Sequence, residues 1–363
     1  MKNTFLITIF LSFFCIVNIS WGEIDVQKIT KLAKSGDAEA QNILGYRYYK
    51  GLGVPKNYAE AMKWYKKAAE QGFAEAQFNF GTMYYNGEGV LQDYTEAMKW
   101  YKKAAEQGLP ISQYIIGEMY ERGKGVPQNY VEAIKWYRKS ADQGNPNAEF
   151  NLGFMYASGQ VVDQDYSEAV KWYQKAADQG LAKAQYNLGV SYYKGQGVSK
   201  NYAEAMKWYK KAADQGSASA QYDLGEMYYY AFGVPKNYIE AMKWYKKAAD
   251  QGLPKSQYVL GLMYANGEGT PKNYNEAIKW YTEAAKQGYS PAQNNLGNMY
   301  AKGEGVPKDL KEAYVWHSIA SANGNEISKK NLEILSSDMT PQQIDEAQNK
   351  ATELWKKINT SKK

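Results

Sequence analysis

The 363-residue chain carries 44 basic and 38 acidic residues, so its formal net charge at pH 7 is only +6. Apolar residues make up 44% of the chain and charged residues 23%, which is typical of folded proteins and argues against wholesale disorder. The basic excess is mild and diluted, and no run of five like charges occurs, so the composition argues against a nucleic-acid-binding arm.

The first 22 residues have the pattern of a secretory signal peptide. Lys2 precedes an apolar run from Phe5 to Ile19, and Ser20 and Gly22 are small residues before Glu23. The run is shorter than the ~20 residues that span a bilayer, so a transmembrane anchor is the weaker alternative. We therefore expect export, to the periplasm or out of the cell, with no transmembrane segment after cleavage.

Cys15, the only cysteine, lies inside this predicted leader. The processed chain is then expected to have no disulfide, no thiol nucleophile and no cysteine metal site. An exported protein of this kind depends on packing for its stability.

The rest of the sequence repeats with a period of 36 residues, which is typical of a solenoid or a propeller. Tryptophan recurs at this spacing without an insertion or deletion, as Trp64, Trp100, Trp136, Trp172, Trp208, Trp244, Trp280 and Trp316. Eight units follow from this spacing: 37–72, 73–108, 109–144, 145–180, 181–216, 217–252, 253–288 and 289–324.

Helical periodicity decides between the two architectures. In the first unit Ala61, Met62, Tyr65 and Ala68 fall on one helix face, and no stretch alternates as a strand would. Each unit is predicted to form two helices, here called helix A and helix B. The fold class is therefore expected to be all-α, an α/α superhelical solenoid, because a hairpin buries both faces only against neighbouring units.

Capping residues mark the boundaries of these helices. An Asn or Asp such as Asn57, with Glu60 three residues later, predicts a reciprocal capping box at the start of helix B in every unit. Gly72 and its counterparts are expected to end helix B in a left-handed conformation. Val161 and Ala231 replace turn glycines of the other units.

Both ends of the array are predicted to be capped. Residues 23–36 are expected to form a single helix that covers the first unit. Residues 325–363 are expected to form two further helices, the last capped by Thr340, with Pro341 at its first position and Gln343 three residues on.

The repeated letters are similar to a known family. The segment AEAQFNFGTMYYNGEGVLQDYTEAMKWYKKAAEQG, residues 74–108, resembles the Sel-1-like repeat, a relative of the tetratricopeptide repeat, and the likeness extends over 37–324. The resemblance implies a superhelix that acts as an adaptor for protein complexes, and exported bacterial members are associated with envelope assembly, signalling inhibition or host interaction. One cysteine-rich branch is linked to β-lactam or peptidoglycan binding, and this chain lacks its cysteines.

Positions that differ between units are free of the demands of stacking and are candidates for binding. On helix A these positions form one stripe, and by analogy with tetratricopeptide superhelices the stripe is expected to line a concave groove. Its candidate partner-binding residues are Ile43, Tyr46, Thr82, Ile111, Ile115, Glu118, Phe154, Val190, Glu226, Tyr230, Val259, Leu262 and Asn298. Tyr49, Tyr85, Tyr193 and Tyr229 are expected at the edge of the groove.

Other polar residues have plainer explanations. The glutamates of helix B are separated by whole repeats, so they cannot cluster as catalytic acids or metal ligands and are expected to cap helices. The turn around Gly87 lacks the Lys-Ser/Thr of a phosphate loop and is expected to be a plain turn. His317, the only histidine, stands where unit one has Tyr65 and is expected to pack in the last repeat. Lys63, Lys66 and Lys67 are expected on a solvated outer face, with weak binding of lipid or cell-wall polymer as the alternative.

These observations predict a non-catalytic scaffold that has no metal site and no cofactor, is a monomer, and binds a protein or peptide but not nucleic acid. Two alternatives remain at this stage. One is an envelope protein that binds or hydrolyses peptidoglycan or β-lactams, and the other is a secreted protein that binds host proteins.

Overall fold

The computed structural model describes residues 26–360, so the predicted signal peptide with Cys15 lies outside the described residues. Nineteen helices form this range. The helices A are α2 Ala38–Lys50, α4 Ala74–Asn86, α6 Pro110–Arg122, α8 Pro146–Ser158, α10 Ala182–Lys194, α12 Ala218–Tyr230, α14 Pro254–Asn266 and α16 Ser290–Lys302. The helices B are α3 Tyr58–Glu70, α5 Tyr94–Glu106, α7 Tyr130–Ala141, α9 Tyr166–Asp178, α11 Tyr202–Asp214, α13 Tyr238–Asp250, α15 Tyr274–Lys286 and α17 Leu310–Ala322. The ends are α1 Val26–Lys34, α18 Glu326–Ser337 and α19 Pro341–Thr360.

The chain divides into two compact units, one up to Leu152 and one from Gly153. In the first unit each helix packs on the next, with the closest packing inside the pairs α2–α3, α4–α5 and α6–α7. In the second unit the same order holds from α9 to α17, and α17 also packs against α18 and α19. The helix–turn–helix repeat predicted from the sequence is thus confirmed.

A glycine on helix A lets helix B approach closely in each repeat. A Cβ on Gly45 would lie 2.7 Å from the ring of Tyr65, and a Cβ on Gly261 would lie 2.6 Å from the ring of Tyr281. Both tyrosines are buried, together with the alanines of helix B. Any larger residue at the glycine would push the ring out of the core.

The start of helix B differs in one respect from the expected capping box. Asn57 Oδ1 accepts from the N–H of Glu60 at 3.1 Å, as predicted. The Glu60 carboxylate, however, pairs with Lys63 at 3.2 Å instead of reaching back. The N–H of Asn57 donates to the carbonyl of Tyr48 at 2.8 Å, so helix A already satisfies it. The predicted reciprocal half of the box is therefore wrong.

The left-handed residues at the helix ends are present as predicted. Gly72 ends helix B with φ 91°, and Gly51 follows α2 with φ 77°. Ala231 follows α12 with φ 64°, the one non-glycine residue with positive φ among residues 26–360. A Cβ in this region is strained, so Ala231 holds a conformation that glycine adopts freely.

A ladder of buried glutamines joins successive repeats, and the sequence analysis missed it. Gln41 Nε2 donates to the carbonyl of Ala33 in the preceding helix at 3.0 Å, and Gln71 Nε2 donates to Gln41 Oε1 at 2.7 Å. The same pair of bonds recurs at Gln77, Gln113, Gln185, Gln221, Gln257 and Gln293, with Asn323 in place of the second glutamine at Gln293. Each glutamine thus adds a second hydrogen bond to a carbonyl at the end of the preceding helix, which also accepts from the N–H of the glycine that follows that helix.

The ends of the array behave as predicted. Ile29 and Ala33 of α1 pack with Leu44 and Trp64 of the first repeat. At the start of α19 the N–H of Thr340 donates to Gln343 Oε1 at 2.9 Å, and the N–H of Gln343 donates to Thr340 Oγ1 at 3.3 Å. This reciprocal pair is the capping box expected there.

Candidate functional site

The helix A stripe presents three exposed aromatic side chains. Tyr46 is 37% exposed, Phe154 is 52% exposed and Tyr230 is 56% exposed. Tyr46 belongs to the first compact unit, whereas Phe154 and Tyr230 belong to the second. Rings left this accessible are available to a partner, because nothing in the repeat itself covers them fully.

Several apolar residues of the stripe are half-buried and pack against the core. Ile43 packs beside the cluster that contains Trp64, and Val190 packs beside the cluster of Tyr209. Val259, Leu262 and Ile111 are likewise half-buried. These residues offer part of their surface to a ligand but also support the fold.

The prediction that Ile115 is a partner-binding residue is wrong. Its side chain is only 5% exposed, so it is not available to a partner. The same position of other repeats contacts the preceding repeat: Asn79 donates to Asn42 at 2.9 Å. This edge of the stripe faces the neighbouring repeat, which explains the burial of Ile115, although Ile43 and Val259 at the same position of their repeats are only half-buried.

Two further stripe residues are occupied by internal hydrogen bonds. Thr82 donates to the carbonyl of Phe78 and accepts from the hydroxyl of Tyr101 at 3.1 Å. Asn298 Oδ1 accepts from Asn331 of α18 at 3.2 Å. Their side chains help to hold the array together in addition to any role in binding.

The two glutamates of the stripe differ in their surroundings. Glu118 pairs with Arg122 at 3.2 Å, and burial raises the pKa of its carboxyl above the ordinary value. Glu226 accepts from the hydroxyl of Tyr222 at 2.7 Å and forms no ion pair within residues 26–360. Burial and the charge of Glu226 raise the pKa of Asp223 beside it to about 6.

The tyrosines expected at the groove edge link consecutive repeats. The Tyr49 hydroxyl donates to Glu88 at 2.8 Å, and the Tyr229 hydroxyl donates to Glu268 at 2.9 Å. The Tyr85 hydroxyl accepts from Lys124 at 2.9 Å. Since the partners lie 39 residues apart, the sequence alone gave no reason to pair them.

The outer face of helix B is basic and exposed, as predicted. Lys63, Lys66 and Lys67 are all exposed, and Lys67 lies over the ring of Trp64 at 4.7 Å. The same lysine–tryptophan stacking recurs at Trp100, Trp136, Trp172, Trp208 and Trp244.

His317 is buried in the last repeat, as expected from its place in the pattern. Its Nδ1 lies 3.2 Å from Ser328 Oγ, and burial lowers its pKa to about 4. Within the described range no three of the His, Cys, Asp and Glu side chains group as metal ligands. No helix in that part of the chain is long and apolar enough to cross a membrane.

The model of the Sel1 repeat matches eight consecutive segments, 38–73, 74–109, 110–145, 146–181, 182–217, 218–253, 254–289 and 290–325. The chain is a Sel1 repeat protein. Each matched segment begins at the first residue of a helix A. The resemblance noted in the sequence is therefore confirmed.

Solved Sel1 repeat structures are close to this one over most of its length. The chain is similar to c5321, described as a protective antigen of uropathogenic Escherichia coli, with 37% identity and a TM-score of 0.83 over 93% of this chain and 72% of that chain. It is also similar to a Sel1 repeat protein from Oxalobacter formigenes, with 34% identity and a TM-score of 0.67 over 90% of this chain and 93% of that chain.

A curated relative is similar over a shorter stretch. The secretory immunoglobulin A-binding protein EsiB of Escherichia coli is 36% identical over 69 residues. The match spans 19% of this chain and only 14% of EsiB.

Proposed function

We propose that this Sel1 repeat protein is a non-catalytic scaffold that binds a protein or peptide partner through its helix A stripe. The proposal is carried by the three exposed rings of Tyr46, Phe154 and Tyr230 on that stripe. Burying a fully exposed side chain of this size yields about 1.5–3 kcal/mol, so covering what remains accessible of each ring yields roughly half of that. Aromatic residues are also enriched among the residues that dominate binding energy.

The remaining stripe residues suit a partner with mixed chemistry. Half-buried Ile43, Val190 and Leu262 add apolar surface to the stripe, and Glu226 adds a carboxylate that forms no ion pair within residues 26–360. A small set of apolar anchors surrounded by polar groups is typical of protein interfaces.

The name of EsiB suggests a defined partner with which to test this function. Its name states that it binds secretory immunoglobulin A, and we propose that this chain also binds a host protein after export. The leader-like pattern of residues 1–22 supports export, to the periplasm or the medium. Secretory immunoglobulin A is therefore the first partner to test, alongside proteins captured from the cell envelope.

The experiment compares two double variants that each replace exposed apolar side chains with alanine, one on the stripe and one on helix B. Tyr46→Ala/Phe154→Ala removes two of the three exposed rings of the stripe, whereas Val131→Ala/Ile239→Ala removes side chains that are 60% and 58% exposed on helix B. Binding to immobilised secretory immunoglobulin A, and capture of envelope proteins, is measured for both. The stripe variant should lose binding at least tenfold while the helix B variant keeps it; equal behaviour of the two would overturn the role of the stripe.

Incubation of the pure protein with muropeptides and a chromogenic β-lactam tests the hydrolase alternative. Turnover that follows the protein through purification would contradict the non-catalytic assignment. Light scattering tests the expected monomer.

A further inference from the structure

Repeats 5 and 6 can be compared directly with repeats 2 and 3, which lie 108 residues earlier. The segment GEMYERGK, residues 117–124, corresponds to GEMYYYAF, residues 225–232. The first half is identical, so the two helices match over the middle of their length, from Gly117 and Gly225 onward. The second half changes two cations, Arg122 and Lys124, into two aromatic residues, Tyr230 and Phe232.

In repeat 3 both cations are used inside the protein. Arg122 pairs with Glu118 at 3.2 Å. Lys124 lies over the rings of Tyr85 and Tyr94, at 4.9 Å and 5.1 Å from their centroids. At this surface of repeat 3 a guanidinium therefore pairs with a carboxylate, and an ammonium lies over aromatic rings.

In repeat 6 the carboxylate of Glu118 is retained as Glu226, Glu121 is replaced by Tyr229, and both cations are gone. Glu226 takes the place of Glu118, and Asp223 adds a second carboxylate one turn earlier on the same helix. Glu226 accepts a hydrogen bond from the hydroxyl of Tyr222 at 2.7 Å. Burial raises the pKa of the Tyr186 hydroxyl, and Asp223 lies close enough to raise that pKa further. Neutral hydroxyl groups leave the negative charge of the pair uncompensated.

The lysines nearest to this acidic pair do not neutralise it. Lys194 and Lys255 are close enough to lower the pKa of Asp223, yet burial and the charge of Glu226 outweigh them. Lys255 lies over the ring of Tyr222 at 4.8 Å, and neither lysine forms an ion pair within residues 26–360. Two like charges held together in a half-buried place favour the approach of an added cation.

A row of aromatic rings lies beside the acidic pair. Phe232 stacks on Tyr202 at 5.5 Å and contacts Tyr193 at 5.7 Å, in the place that Lys124 takes over Tyr85 and Tyr94. Tyr230 lies 5.7 Å from Phe232 and is the most exposed ring of the row. Tyr230 is also one turn from Glu226, so a cation paired with that carboxylate can lie against its ring.

We propose that this surface, formed by Asp223, Glu226, Tyr230 and Phe232, binds an arginine side chain of a partner protein. The guanidinium replaces the one that Arg122 supplies internally in repeat 3, pairs with the carboxylates of Glu226 and Asp223, and stacks on Tyr230. Arginine fits better than lysine because its planar fork donates to two carboxylates and stacks on an aromatic face at the same time. This inference rests on the proposed function, since it names the chemistry of a partner for one part of the stripe.

The test uses three short peptides with the purified protein. Acetyl-Gly-Ser-Arg-Ser-Gly-amide is the probe, its citrulline analogue has the same shape without the charge, and its lysine analogue has the charge without the fork. Dissociation constants are obtained from ligand-observed NMR titrations. The arginine peptide should bind at least tenfold more tightly than the citrulline peptide and more tightly than the lysine peptide.

Three variants locate the binding. Glu226→Gln should weaken binding of the arginine peptide at least tenfold, and so should Tyr230→Arg, which restores the internal pair seen at Glu118 and Arg122. Glu283→Gln, an equal loss of charge at an exposed glutamate of α15 that pairs with Lys286, should leave binding unchanged.

The outcomes separate this inference from the proposed function. Equal binding of the arginine and citrulline peptides, or full binding by a folded Glu226→Gln variant, overturns the inference. Equal or tighter binding of the lysine peptide overturns the choice of a guanidinium. If the peptide fails to bind while the Tyr46→Ala/Phe154→Ala variant still loses its protein partners, the proposed function stands and only the inference falls.

Discussion

Replacing His317 with tyrosine tests how one buried imidazole links the last repeat to pH. The ring is 1% exposed and packs against Gly297, where a Cβ would lie 2.7 Å from Nε2. The Ser328 hydroxyl donates to Asn294 Oδ1 at 2.9 Å, so Nδ1 of His317 is left to donate to Ser328 Oγ. The neutral ring therefore carries its proton on Nδ1, and protonation would add one at the buried Nε2.

The size of the effect follows from the lowered pKa. Burial moves the pKa of His317 to about 4, from about 6.5 in an unfolded chain. Between these values the unfolded chain binds a proton that the folded chain does not, so the stability falls as the pH falls. At about pH 4 the loss amounts to about 3 kcal/mol, because each pH unit below the unfolded pKa costs about 1.4 kcal/mol.

Urea denaturation of the parent and of His317→Tyr, from about pH 7.5 to about pH 4, measures this loss. Tyrosine is the residue that the other seven repeats place against the same glycine, so the variant should fold. The pKa of Asp223 is raised to about 6, so this group increases the stability of the folded protein as the pH falls. Both proteins contain Asp223, so its effect cancels in the difference between them. The stability difference should therefore move by about 3 kcal/mol in favour of the variant; a difference that is constant with pH would refute the reasoning.

Three other substitutions probe the backbone and the core, each read from the urea midpoint. Ala231→Gly relieves a left-handed φ of 64° and should stabilise by about 1 kcal/mol; a loss of stability would contradict the strain. Gln221→Leu removes two hydrogen bonds, the one that Gln221 donates to the carbonyl of Ala213 and the one that it accepts from Gln251, and should cost about 2 kcal/mol; a neutral result would mean that the ladder contributes little. Gly261→Ala places a methyl 2.6 Å from the Tyr281 ring and should cost about 1–3 kcal/mol, whereas an unchanged midpoint would show that the ring gives way freely.

Much of the fold could be predicted because each signal is local. Apolar residues at helical spacing and the Asn and Gly residues at the helix ends depend only on neighbours a few positions away, and the eightfold repeat makes them unmistakable. The glutamine ladder could not be predicted in this way. Gln41 and Gln71 appear as polar helix residues, and only the packing of two helices shows that they bond to each other and to Ala33.

The candidate site was predicted less well for a related reason. Helical spacing gives the direction of a side chain but not the distance to the next repeat, so Ile115 and Phe154 looked alike although one is buried and the other exposed. The acidic and aromatic surface of repeat 6 could also be predicted only in part from the sequence. Glu226 and Tyr230 were candidates by variability, but the absence of an ion pair at Glu226 emerges only from the comparison with Glu118 and Arg122.

The glutamine ladder also bears on how such a protein can evolve. Where one repeat meets the next through the same two amide bonds, a duplicated or deleted block of 36 codons creates a junction chemically identical to those already present. Unequal recombination at the gene can thus lengthen or shorten the array without inventing a new contact. Point changes on the exposed stripe can then diversify each copy, as the exchange of two cations for two rings between repeats 3 and 6 illustrates.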